Sequence, residues 1–153
     1  GFIHSTLLTI FNGNETSFHN KKSKLISLCG NIQKDFIPHS PLTISFRDVL
    51  LTSNGSIILI GESRGVFDFR NEIYKKYNTP EHLRKNIIHI TLGRLLHNTA
   101  NNDMNDINNF LQMRGRLSLP PITISHPKTI ISRDMFCLSM DNKLTNEFNS
   151  LKI

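Results

Sequence analysis

The run Ile87-Ile88-His89-Ile90-Thr91-Leu92-Gly93-Arg94-Leu95-Leu96 limits what this chain can fold into more than any other stretch. It is apolar, rich in β-branched residues and bounded by Lys85-Asn86 and His97-Asn98, the profile of a buried strand. Ahead of Gly93, two polar side chains interrupt it. Side chains alternate faces along a strand, so His89 and Thr91 share one face while Ile88, Ile90 and Leu92 share the other. An imidazole beside a hydroxyl on a rigid strand is a hydrogen-bonding pair that can serve a phosphate. The chain holds a second such pair, in Phe2-Ile3-His4-Ser5-Thr6-Leu7-Leu8-Thr9-Ile10. The two align as Ile-His-Ser-Thr-Leu-Leu and Ile-His-Ile-Thr-Leu-Gly. Repetition of His4 and Thr6 by His89 and Thr91 implies a pseudo-symmetric site in which two imidazoles face each other.

Between and after these stretches the pattern predicts the remaining elements. Residues 2–10 read as a first strand and the polar residues 12–17 as a loop. Residues 24–36 read as an amphipathic helix with Leu25, Cys29, Ile32 and Phe36 on its apolar face, ended by Pro38 and Pro41. Residues 42–51 and 57–60 read as strands joined by the Asn54-Gly55 hairpin signal. A helix over 66–77 follows, with Val66, Phe69, Ile73 and Tyr77 on one side. Beyond the His89 strand come a polar loop over 99–103 and a helix over 104–113 capped by Gly115. Extended segments at 122–124 and 129–131 and a strand over 134–140 complete the set, with a tail that forms a short helix or stays loose. Each His-x-Thr strand is thus followed by a helix and two strands. The expected class is α+β, with a mostly antiparallel sheet.

A length of 153 residues is enough for one domain with a core of its own. Its 38% hydrophobic and 20% charged content is that of a globular protein, and no apolar run reaches the ~20 residues of a membrane-spanning helix. The net charge of +6 favours polyanionic partners such as RNA or nucleotides. Cys29 and Cys137 both sit in apolar contexts without a Cys-x-x-Cys spacing, so they read as reduced packing residues of a cytoplasmic protein.

The paired motifs, each followed by Leu, resemble those of the two-histidine (2H) phosphoesterase superfamily, and the resemblance covers most of the chain. Ile88-His89-Ile90-Thr91-Leu92-Gly93-Arg94 is similar to the family's second signature, in which an Arg often lies three residues after the Thr. Phe2 holds the place of an aromatic that lines the pocket in related RNA-end phosphodiesterases. The resemblance implies a pseudo-symmetric fold whose antiparallel sheets form a central cleft with helices packed outside. It departs from the family pattern in the few residues before His4, which leaves the sheet order open. Compactness, richness in Asn and Ile, and a start without Met resemble the viral branch. That branch acts in the host cytoplasm on 2′,5′-oligoadenylate (2-5A), the messenger of an antiviral RNase pathway. The expectation is one monomeric domain over 1–153, cut from a larger viral polypeptide.

For a 2′,5′ linkage the resemblance implies that the neighbouring 3′-hydroxyl attacks phosphorus, with His4 and His89 as general base and acid, and with no metal or cofactor. Imidazole suits both tasks because its pKa of about 6.5 lies near working pH. His89 is the favoured base. Thr6 and Thr91 would hold the nonbridging oxygens, and Arg94 would offset charge growing on phosphorus. Strict alternation points Arg94 away from His89; a bulge at Gly93 would turn it inward. Phe2 is the candidate for stacking on adenine, whereas Phe67, Tyr74 and Tyr77 read as packing residues. His19, His39, His82, His97 and His126 read as loop or surface residues, and neither motif has a further ligand at metal spacing. The rivals are a 2′,3′-cyclic phosphodiesterase acting on RNA ends and a non-catalytic RNA- or nucleotide-binding module.

Overall fold

The computed structural model describes residues 4–95, 101–132 and 140–150. Helix α1 (Glu15–Phe36) leads into the hairpin β1 (Leu42–Leu51) and β2 (Ser56–Glu62), then α2 (Arg64–Lys76) and β3 (Ile88–Arg94). Helix α3 (Asn101–Met113), β4 (Ile122–Ile124) and α4 (Asn142–Asn149) follow. The strands form an antiparallel, curled sheet in the order β3-β2-β1-β4. The α+β class and the antiparallel pairing match the sequence expectation. Among the described residues no helix is long and apolar enough to cross a membrane.

Helix α1 begins earlier than its apolar periodicity does. Asn14 caps it, its Oδ1 accepting the Ser17 amide at 2.8 Å, and Glu15 sits in the first turn, where an anion suits the helix dipole. Its opening turns are largely solvated, so hydrophobic spacing gave no sign of them and residues 15–17 are helix rather than loop. The buried face is Leu25, Cys29, Ile32 and Phe36, the expected stripe. Burial pushes the Cys29 thiol up to about 11, which keeps it protonated and inert. Cys137 lies outside the described residues.

The β1–β2 hairpin turns at Gly55, whose φ of +77° is a left-handed conformation that glycine adopts without steric cost. The sheet's core face comes from Leu42, Ile44 and Phe46 of β1, Leu59 of β2, and Ile88 and Ile90 of β3. Ile32 and Phe36 of α1 and Val66, Phe69 and Ile73 of α2 cover it. Helix α2 is capped by Ser63 and ends in a left-handed Asn78 (φ +47°). There the Thr79 amide reaches back to the Tyr74 carbonyl at 3.0 Å, closing the last turn.

Two further expectations change, and a third is left untested. Residues 2–10 do not form a full strand: the described part contributes one antiparallel bridge, Ser5 with Ile90. The polar residues of the expected 99–103 loop include the start of α3, which begins at Asn101. The strand expected over 134–140 falls mostly outside the described residues, and Met140 forms a bridge with Ser132. The tail is helical, as α4, with Phe148 packed against Leu25 and Cys29.

Gly61 is the tightest point under β3. A Cβ there would lie 2.7 Å from Ile44 Cγ2, 2.8 Å from Phe46 Cε1 and 2.9 Å from Ile88 Cγ2. Gly61→Ala therefore overpacks the core beside the His89 strand. It should lower the stability read from urea unfolding by about 1–3 kcal/mol, whereas Gly93→Ala, with nothing within 4 Å, should not meet such a clash.

Candidate functional site

The bridge between Ser5 and Ile90 decides how the two motifs meet. The pairing is antiparallel, so His4 lies across from Thr91 and Thr6 across from His89. Ser5 and Ile90 point to the other face, where Ile90 belongs to the core. All four motif residues therefore share the face opposite α1 and α2, related by a local two-fold axis through the Ser5–Ile90 pair. His4 and His89 are diagonal neighbours, a relation that separates residues by roughly 7–8 Å and their Cβ atoms by somewhat less. A tetrahedral anion can fit between two imidazoles so placed, with a threonine beside each.

Residues of β2 form the bed of this face. Ile60 pairs with His89 and Ile58 with Thr91. The register then slips: Ile57 pairs with Gly93, leaving Leu92 as the extra residue of a bulge. The slip changes where Arg94 points. Without it Arg94 would follow Ile90 to the core face. With it Arg94 pairs with Ser56, which shares the face of Ile58 and Ile60. Arg94 thus joins the side of His89 and Thr91, with Nη2 donating to Ser56 Oγ at 3.0 Å. Phe2, the expected stacking residue, lies outside the described residues.

Burial lowers the His89 pKa below its ordinary value, and the positive charges of Lys85, His4 and Arg70 lower it further. His89 is therefore neutral at neutral pH and can accept a proton there. The influence of His4 on His89 also agrees with their placement on one face.

Arg70, which the sequence reading passed over, holds the two motif segments together. It is 1% exposed. Its Nε donates to the Leu7 carbonyl at 2.7 Å and its Nη2 to the Thr6 carbonyl at 2.9 Å. Its Nη1 donates to the Ile87 carbonyl at 2.8 Å and the Lys85 carbonyl at 3.5 Å. One guanidinium thereby clamps the backbone of the first motif to the backbone leading into the second. A signal was present in the sequence: Arg70 interrupts the apolar stripe of α2 between Val66 and Ile73, and a charged residue in such a stripe is rarely buried unless its donors are used.

The other described histidines have partners or surroundings of their own. His39 pairs with Glu72 at 3.0 Å and His19 lies 3.6 Å from Glu15, while His82 and His126 are exposed and His97 lies outside the described residues. Among the described residues no three His, Cys, Asp or Glu side chains gather where they could hold a metal ion. Compared with known proteins, the chain matches no family model, no curated protein and no solved structure.

Arg70→Lys keeps the charge and loses the fork. The four carbonyls cannot all be served by one ammonium, so the segment around His4 should loosen from β3. Hydrogen exchange should quicken over residues 4–8 while circular dichroism still reports a folded protein. Unchanged protection there would show that the clamp is not what holds the motifs in register.

Proposed function

We propose that this chain is a phosphodiesterase of the two-histidine type that cleaves 2′,5′-linked oligoadenylate. The observation that carries the reading is the antiparallel Ser5–Ile90 register, which brings His4, Thr6, His89 and Thr91 to one face. The lowered proton affinity of His89, caused first by burial, supports the role of base for it. His89 takes the proton of the 3′-hydroxyl as that oxygen attacks phosphorus. His4, protonated, gives its proton to the 5′-oxygen of the departing nucleoside. The phosphorus–oxygen bond to that nucleoside breaks, leaving a 2′,3′-cyclic phosphate on one fragment and a 5′-hydroxyl on the other. Thr6 and Thr91 hydrogen-bond the nonbridging oxygens, and Arg94 stabilises the charge that builds on them.

The test is incubation with 2′,5′- and 3′,5′-linked triadenylate in parallel, with EDTA present. Loss of the 2′,5′ substrate alone is the expected result. His89→Ala should slow it by about 10²–10⁴-fold, the worth of one positioned proton transfer. Cleavage of neither substrate would overturn the assignment; turnover of a 2′,3′-cyclic phosphate in its place would move it to RNA ends.

The pH profile supplies a second check. The acid limb of kcat/KM reports the base of the free enzyme, so it should lie below the ordinary histidine range. Removing a positive charge near His89 makes protonation easier. Lys85→Gln should therefore move that limb to higher pH, and an unmoved limb would mean that His89 is not the base.

A further inference from the structure

A groove of about 710 Å³ runs between α2 and the segment that leads into β3. That volume lies within the roughly 300–1,000 Å³ usual for small-molecule clefts. Three cations line it, Lys75, Arg84 and Lys85, together with the amides of Asn71, Asn78 and Asn86. Among the described residues that line it there is no Asp or Glu to balance them. Phe67 and Tyr74 give it an aromatic wall, with the Arg84 guanidinium 5.8 Å from the Tyr74 ring centroid.

The walls are built rather than loose. The Lys85 amide donates to the Tyr74 hydroxyl at 2.8 Å, and the Lys85 carbonyl accepts from Arg70. Arg84 Nε donates to the Thr79 carbonyl at 2.9 Å. The left-handed Asn78 closes the end of α2, so the turn carrying Lys75 is tied down as well. The groove lies at the end of β3 that leads to His89, within reach of the histidine face. Lys85 lines it and its charge reaches His89, while Arg70, the clamp of the two motifs, lies 5.5 Å from the Phe67 ring centroid. Lys85 and His89 are four positions apart in the chain, a backbone reach of at most about 14 Å.

Cations without counter-charge select a polyanion, amides can donate to and accept from base edges, and aromatic walls suit bases. We infer that this groove is a subsite for a flanking nucleotide of a single-stranded oligonucleotide whose reacting phosphate lies between His4 and His89. It lies on the His89 side, so it takes the nucleotide that precedes the one bearing the attacking hydroxyl. The inference rests on the proposed function and adds a length requirement: a chain with a nucleotide to spare binds better than a dinucleotide.

The experiment compares the wild-type chain with a Lys75→Ala/Arg84→Ala double variant on 2′,5′-linked di- and triadenylate. The KM of the trimer should rise about tenfold relative to that of the dimer. In a second arm, fluorescent triadenylate is titrated into a His4→Ala/His89→Ala background with and without the groove substitutions. The groove substitutions should weaken binding about tenfold. Equal effects on dimer and trimer, or none, would overturn the subsite. If neither substrate is cleaved, the catalytic reading fails, and the binding arm alone decides the groove. Groove-dependent affinity upholds it; groove-independent affinity or no binding overturns it.

Discussion

A guanidinium buried in a protein interior must place its N–H groups on acceptors, because an ion left uncompensated there costs several kcal/mol. Arg70 meets that demand with backbone carbonyls from Thr6 and Leu7 on one side and from Lys85 and Ile87 on the other. The first motif segment makes a single described bridge with the sheet, so little else in its backbone pairing anchors it. The register between His4 and His89 therefore depends on a side chain supplied by a helix on the opposite face. Burial also lowers the proton affinity of the guanidinium, but arginine starts so high that it stays charged. Lysine, a point charge with a pKa that falls readily on burial, does not combine the same geometry and charge.

The same cation acts on the proton affinity of His89. Arg70, Lys85 and His4 all disfavour a proton on His89, in addition to the burial of that ring. Structure and electrostatics are thus coupled through one residue: the group that sets the separation of the imidazoles also helps keep one of them neutral. The positive balance continues into the groove beside α2, where Lys75 and Arg84 join Lys85. Cations gathered in this way have a cost in mutual repulsion that an anionic ligand relieves.

Irregularities of the sheet matter as much as its regular pairing. The bulge at Leu92 reverses the alternation of β3 and moves Arg94 from the core side to the side of the histidines. A second register shift, at Arg47 between Phe46 and Asp48, leaves the Arg47 carbonyl to accept the Leu117 amide at 2.7 Å. Each shift adds one residue to one strand, and each redirects a polar group away from where strict alternation would send it.

Much of this site was legible in the chain. The period-two placement of His89 and Thr91 between isoleucines sets their common face, because alternation is a property of any strand. The apolar stripe of α1 and the Asn54-Gly55 turn were readable for similar reasons, since each follows from local geometry. The glycine after Leu92 pointed to the bulge. The start of α1 was not readable from periodicity, as its opening turns are solvated and only the cap at Asn14 marks them. Repetition of the motif suggested that the two would face each other, but not how: residues 4–6 meet β3 through long-range pairing, and no local propensity states which edge a segment joins or in what register. Nor does sequence spacing reveal that the charges of Arg70 and of Lys85, a residue of the basic groove, act on His89. Residue types and faces were determined by the sequence alone. Their assembly into one site, and the proton affinity that follows, was decided only when tertiary structure removed them from water and set distant charges side by side.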